Sequence, residues 1–301
     1  DPEVGEAAAV LARLPRTDPS FAISGGARRT RQRSPGSAAP PGTSRKSETA
    51  QSHLNGVLMY TEKIFGPDYL RMRHHSLDAL TAEHLTALSE VLGIDDANGK
   101  MRLLDLGCGP GRLAVAFAER GHDVVGVDQS DTLLTTAAQL GESRGVSVRW
   151  VRSRYADMPQ LGKFDGIYCW STSFGYGTDE ENETTLRRCR EMLPPGGRFA
   201  LETSNWARWP RPFEPVDMEI NGDDWMICQS TFDPATARQT VTEIYCADGK
   251  IVRDQHSIRR FWPSELAFHL ETAGFREVEL LGEDLQPIST EHGRIIAVAT
   301  A

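Results

Sequence analysis

From residue 102 onward the apolar positions fall into short blocks whose period switches back and forth. Compact runs of branched and aliphatic residues at 102–106, 123–127, 146–151, 164–169 and 198–203 predict strands. Between them, residues 112–120, 131–144 and 179–193 carry apolar side chains three and four apart, the spacing of a helix with one buried face. Two more helices, over 54–65 and 76–92, precede the series. A helix over 264–273 and strands over 275–281 and 294–299 close the chain. Strand–helix alternation with short connections predicts a parallel, doubly wound α/β sheet.

The alternation is interrupted once. Residues 205–262 stand between a strand and a helix and hold three stretches of partial period-two alternation, 225–232, 239–246 and 251–261. Asp233-Pro234 and Asp248-Gly249 supply turns between them. The segment therefore predicts a small antiparallel sheet laid on the main domain. Its Trp and Tyr residues suit either a cover over a ligand or the sheet's own core.

Charge separates the first 50 residues from the rest. They hold eight basic and five acidic residues, net +3, against a net −12 for the remainder and −9 for all 301 residues. Residues 24–49 are rich in Ser, Gly, Pro and Arg with almost no large apolar side chain, so this segment is expected to be disordered. Its cluster Arg28, Arg29, Arg31 and Arg33 reads as a solvated linker rather than a nucleic-acid contact. No run of apolar residues resembles an export signal or approaches the roughly 20 residues of a membrane span. The five cysteines (108, 169, 189, 228 and 246) form no CxxC pair, so neither a zinc module nor a disulfide framework is expected. These features predict a cytoplasmic protein without a membrane or nucleic-acid partner, either a monomer or a homodimer.

The chemistry concentrates at Leu103-Leu104-Asp105-Leu106-Gly107-Cys108-Gly109-Pro110-Gly111-Arg112. A strand runs into a loop with glycine at 107, 109 and 111 and then into a helix. Glycine permits the tight turn and a close ligand approach, and the helix N-terminus favours partial negative charge. The third glycine comes one position too early for GxGxxG, and there is no GK[ST], so neither a dinucleotide cradle nor a nucleoside-triphosphate loop is indicated. Asp128 ends the next strand, 21 residues after Gly107, where a carboxylate can accept both hydroxyls of a ribose. Helix capping is its competing role, and Ser130 can equally perform it. Asp157 follows the third strand, where it can accept a bond from an adenine amine.

With these residues in place, the chain from about Tyr60 to its end resembles the class I S-adenosylmethionine-dependent methyltransferases, in the actinobacterial-type branch that acts on small molecules and natural products. Residues 103–111 look like the family's first motif, 125–130 the second, 155–159 the third, 164–176 (FDGIYCWSTSFGY) the fourth, and 193–199 (LPPGGRF) the turn into the fifth strand. The resemblance implies a Rossmann-like seven-stranded sheet ordered 3-2-1-4-5-7-6, with the last strand antiparallel. It further implies a helical lid over 51–95, a cofactor-binding core over 96–204 completed by 263–301, and the inserted cover over 205–262. Residues 1–50 have no counterpart in the motif set.

Carried over residue by residue, the family's S-adenosylmethionine contacts fall on Asp105, Gly107, Cys108 and Gly109 at the methionine part. Asp128 falls at the ribose, and Gln129, Ala156 and Asp157 at the adenine. Cys169 and Trp170 run along the methionine part, and Tyr60, Tyr69 or Arg73 meets its carboxylate. Phe174 and Tyr176 are expected to line the substrate pocket or to brace its loop. Methyl transfer is an in-line displacement that leaves S-adenosylhomocysteine, and an amine acceptor needs no base. For a hydroxyl acceptor the candidate bases are His256, His74 and Glu243. Adjacent His74 and His75 face different ways on a helix, so no metal site is expected. Cys169-Trp170-Ser171-Thr172 stands where DNA amino-methyltransferases carry Asp/Asn-Pro-Pro-aromatic, which argues against a nucleic-acid substrate. The expected activity is methylation of an amine or hydroxyl of a small specialised metabolite. The rival readings are an enzyme that cyclises or cleaves the same cofactor and a non-catalytic cofactor sensor.

Overall fold

A computed structural model of the chain describes residues 64–95, 99–208, 216–247 and 249–301. The tail expected over 1–50, Tyr60, and all but the last two residues of the helix expected over 54–65 lie outside them. The elements run α1 (Pro67–Ala79), α2 (Thr81–Leu92), β1 (Arg102–Leu106), α3 (Arg112–Glu119), β2 (Asp123–Asp128), α4 (Asp131–Ser143) and β3 (Arg149–Arg152). After a 3₁₀ turn (Tyr155–Asp157) come β4 (Gly166–Cys169), α5 (Asp179–Met192) and β5 (Arg198–Ser204). Four strands follow in succession, β6 (Val216–Asn221), β7 (Asp224–Asp233), β8 (Arg238–Ala247) and β9 (Lys250–Arg259). The chain ends with α6 (Pro263–Thr272), β10 (Arg276–Leu281) and β11 (Arg294–Thr300).

Seven strands form one sheet in the order β3-β2-β1-β4-β5-β11-β10. β1 pairs parallel with β2 and β4, while β11 runs antiparallel to both β5 and β10. This is the strand order, with the last strand antiparallel, that the resemblance implies. Both faces are covered, so the strands read as nearly continuous apolar runs. Leu104 and Leu106 of β1 join one buried layer with Phe199, Leu266 and Leu270. Leu103 joins the opposite layer with Leu88, Phe117 and Tyr168. Each fully buried side chain of this size contributes roughly 2 kcal/mol.

The segment expected as one helix over 76–92 divides at Leu80, which closes α1 through a bond from its N–H to Leu77 O (3.1 Å). Nothing in the local composition breaks the helix. The two halves serve different partners: α2 buries Leu85, Leu88, Val91 and Leu92 in the main core, whereas Met72 of α1 packs with Met226, Cys228, Val241 and Tyr245 of the inserted strands. β3 begins later than expected because Val146 N–H bonds back to Gly141 O (3.0 Å) and belongs to the end of α4.

The inserted segment is a separate four-stranded antiparallel sheet, β6-β7-β8-β9, one strand more than its alternation predicts. Its β7–β8 turn is held by Asp233, whose carboxylate accepts from Ala235 N (2.9 Å) and Thr236 Oγ1 (2.8 Å). It docks on the main body where Arg259 N donates to Gly175 O (2.8 Å). Contact there is so close that a Cβ at Gly175 would lie 2.6 Å from Arg259 O.

Candidate active site

The glycine loop lies at the carboxyl edge of the parallel strands, where open α/β sheets bind ligands. Gly107 N and Cys108 N donate to Val127 O (2.8 and 3.1 Å), which folds the loop over the end of β2. Gly107 has φ +80°, and a Cβ there would meet the Tyr155 hydroxyl at 2.4 Å and Ser173 Cβ at 2.6 Å. Asp128 is buried at the tip of β2. Its Oδ2 accepts from Gly109 N and its Oδ1 from Ser130 N, both at 2.9 Å. Capping of α4 falls to Ser130, whose Oγ accepts from Leu133 N (3.2 Å) and donates to Phe65 O (2.6 Å). Asp105, also buried, faces the same cleft. Desolvation pushes its carboxyl up to about 7, against the pull of neighbouring Tyr168 and Arg112. Arg112 is fixed by bonds to His84 Nδ1 (2.9 Å) and Ser171 Oγ (2.8 Å).

Beside this narrow cleft opens a larger chamber of about 810 Å³ between the inserted sheet, the helices α1 and α2, and the ends of β4, β5 and β11. The two share one wall, formed by Phe65, Tyr69, Leu77, Trp170, Ser171, Thr172 and Tyr176. Within it the rings of Phe65 stand edge-on to Tyr69 and Tyr176, each at 5.3 Å, and Tyr176 continues to His256 at 5.7 Å. The chamber mixes apolar walls with many charged and polar groups. Asp217, Glu243, His256, Gln239 and Arg260 face it from the inserted segment, and Glu83, His84, Glu202, Glu283 and Arg294 from the main body. Glu243 Oε2 accepts from the Tyr245 hydroxyl and its Oε1 lies 3.7 Å from Arg73. Burial raises its carboxyl above the usual range. Burial, together with Arg260 and Arg73, lowers the His256 imidazole to about 3, so it is neutral at physiological pH.

The structure gathers Tyr69, Asp105, Gly107, Cys108, Gly109, Asp128, Gln129, Ala156, Trp170 and Tyr176 around the cleft. Other expected site residues lie elsewhere. Phe174 is fully buried against Phe261 (5.6 Å) in the core, because the chain turns inward after Ser173. Cys169 packs into the same core as the last residue of β4. Asp157 is exposed and pairs with Arg154 (3.5 Å) rather than lining the cleft. Arg73 reaches into the chamber and pairs with Glu219 (3.2 Å), away from the glycine loop. His256 and Glu243 line the chamber, while the side chain of His74 lies outside the described residues. Sequence reasoning did not single out Arg112, Tyr155, Glu202 or Arg294. Arg112 ends the quoted glycine loop and Tyr155 opens the third motif, but neither was assigned a role; the last two reach the site only through strand order. No cluster of three or more metal-binding side chains occurs among the described residues. No helix there is long and apolar enough to cross a membrane.

Residues 103–197 match the family model of a methyltransferase domain. The ubiquinone biosynthesis O-methyltransferase of Marinobacter nauticus is 27% identical over 193 residues, 62% of this chain and 69% of that protein. Among solved structures, the CcbJ methyltransferase from Streptomyces caelestis superposes with a TM-score of 0.64 at 20% identity, over 74% of this chain and 92% of that one. The sugar N-methyltransferase KedS8 from Streptoalloteichus does so with a TM-score of 0.55 at 18% identity, over 90% and 100%. The two structures share the fold.

Proposed function

We propose that this chain, an S-adenosylmethionine-dependent methyltransferase, methylates an amine or hydroxyl of a small polar metabolite bound in the chamber beneath the inserted sheet. The observation that carries this reading is the wall shared by the cleft and the chamber. A donor cleft and an acceptor chamber that adjoin along shared lining residues are what an in-line displacement requires, because nucleophile, methyl carbon and sulfur must meet in line at near-contact distance.

The cleft residues fit the cofactor. The loop leaves no Cβ at 107, 109 and 111, and Asp128 presents a carboxylate already oriented by two backbone N–H groups. Asp105 stands where it can meet an α-ammonium. Trp170 Nε1 is buried without a partner among the described residues, a donor left for a ligand. Leu133 and Ala156 supply apolar walls for the base. When bound, the cofactor supplies a methyl group made electrophilic by its sulfonium. Tyr69 and Tyr176 present aromatic surface where positive charge is carried. Helix α1 and the inserted sheet act as lid and cover that keep water out.

The charged and polar groups that line the chamber favour an acceptor bearing amine and hydroxyl groups, a class in line with the sugar N-methyltransferase and the O-methyltransferase above. For an amine, Glu243 is the acceptor placed to take the proton, since burial raises its carboxyl above that of an exposed acid. Neutral His256 accepts a hydrogen bond but is too weak a base to titrate at physiological pH. The test is mass spectrometry with methyl-deuterated S-adenosylmethionine, with and without a metabolite extract of the source organism. A labelled product and S-adenosylhomocysteine appearing only with extract is the expected result. Methylthioadenosine formed without extract would mean that the protein consumes its cofactor instead.

A further inference from the structure

Two consecutive residues other than glycine, Ser171 (φ +58°) and Thr172 (φ +60°), adopt the left-handed conformation directly after β4. The region is disfavoured for L-residues and most of all for a β-branched one such as threonine. It persists where the surroundings over-determine it, which happens mainly at functional sites. These two residues belong to the wall between cleft and chamber.

One buried residue holds both, Ser171 by its carboxylate and Thr172 by its main chain. Ser171 N donates to Glu202 Oε2 (2.7 Å), and Thr172 N donates to the carbonyl of the same Glu202 (3.2 Å). Arg294 completes the clamp. Its Nε pairs with Glu202 Oε1, and its guanidinium donates to Thr172 Oγ1 (2.7 Å) and Ser204 Oγ (3.2 Å). Glu202 is only 5% exposed and directly follows the buried Phe199, Ala200 and Leu201 in β5. A carboxylate so placed is costly to desolvate unless it is paired and hydrogen-bonded. Its partners here are the left-handed turn and the arginine that closes over it.

We infer that Glu202, clamped by Arg294, is a positioning residue: it fixes the Ser171–Thr172 turn, and through it Trp170, so that the wall between donor and acceptor keeps one shape. The inference rests on the assignment of the cleft to the cofactor. It adds a role for β5 and β11, strands outside the glycine-loop half of the sheet.

A thermodynamic cycle tests it, with S-adenosylhomocysteine binding read by isothermal titration calorimetry and folding by thermal melting. Glu202→Ala should weaken binding about ten-fold in the parent, and Thr172→Gly supplies the second background of the cycle, its own affinity serving as the reference there. Glycine adopts the left-handed conformation unaided. In the Thr172→Gly background, the loss from Glu202→Ala should therefore shrink to about three-fold or less. Equal losses in both backgrounds, or unaltered binding by Glu202→Ala, would overturn the inference. If Glu202→Ala does not fold, Glu202→Met, which fills the buried space but removes both the acceptor for Ser171 N and the charge facing Arg294, is put through the same cycle with the same criteria. The readout needs no methyl acceptor. A wrong acceptor class would therefore leave this cycle unchanged, and a failed cycle would leave the transfer experiment intact.

Discussion

On the proposed assignment of the cleft to the cofactor, Asp105 is where the protonation of one side chain meets ligand binding. Burial holds its carboxyl near 7 in the free protein, far above an exposed aspartate. An acid whose folded value is raised binds more protons folded than unfolded, so it lowers stability as pH rises from about 4 to 7 and adds no further slope above that. A cationic ammonium in the cleft favours the ionised carboxylate. The affinity for S-adenosylhomocysteine should therefore climb by up to about ten-fold per pH unit below 7 and level off above it. Calorimetry from pH 5.5 to 8.5 checks this. Asp105→Asn should bind more weakly and lose the slope, and an unchanged slope would remove Asp105 from the site. Asp105, Gly107 and Asp128 were legible in the sequence because strand end, loop and spacing constrain one another. Phe174, Asp157 and Cys169 were placed by the same motifs, but only the fold shows which way each side chain turns. Aromatic Phe174 is as well suited to the core as to a pocket, and its packing against Phe261 decides between them.

Among the elements, the link between α1 and the inserted sheet is the most exposed to test. Arg71 pairs with Asp224, and Asn221 Nδ2 donates to Arg71 O (3.0 Å). Arg73 spans Glu219 (3.2 Å), Cys228 Sγ (3.1 Å) and Glu243 (3.7 Å). Arg73→Met keeps the packing but strips buried Glu243 of its cation, and should cost about 1–3 kcal/mol in urea unfolding near pH 7. The deficit should narrow in acid, where Glu243 is protonated, and Glu243→Gln in the same background should recover part of it. A deficit independent of pH would mean that Arg73 acts through packing alone. The same contacts explain why β6 was missed. Val216-Asp217-Met218-Glu219-Ile220-Asn221 alternates as a strand should, but with inverted polarity: Met218 and Ile220 are exposed, while Asp217 and Glu219 turn toward the chamber side and Arg73. A reading that assigns apolar residues to the inside has no reason to favour such a strand.

For the molecule as a whole, the alternation of periods was enough to predict a doubly wound sheet, and the motif set supplied its strand order. Neither foretold that the last strand would furnish Arg294 to the chamber, because that contact joins residues 122 positions apart in sequence, Thr172 and Arg294. Deleting residues 294–301 should leave β5 and β10 each without the neighbour on that side and remove Arg294. Open strand edges template association. The shortened chain should therefore elute as aggregate in size-exclusion chromatography and bind no S-adenosylhomocysteine. A monomeric, binding-competent product would show that the cleft assembles without β11.

The place of β11, last in sequence yet between β5 and β10 in space, also sets a timetable for synthesis. After β5 leaves the ribosome, the whole inserted sheet, α6 and β10 must follow before its neighbour arrives, which at about 5–20 residues per second is a wait of roughly 5–20 seconds. During that interval the nascent chain carries an open edge beside an unfinished chamber, and chaperone cover matters most there. The sheet closes only once β11 has followed β10, so a chain cut short at β10 is a folding hazard rather than a weaker enzyme.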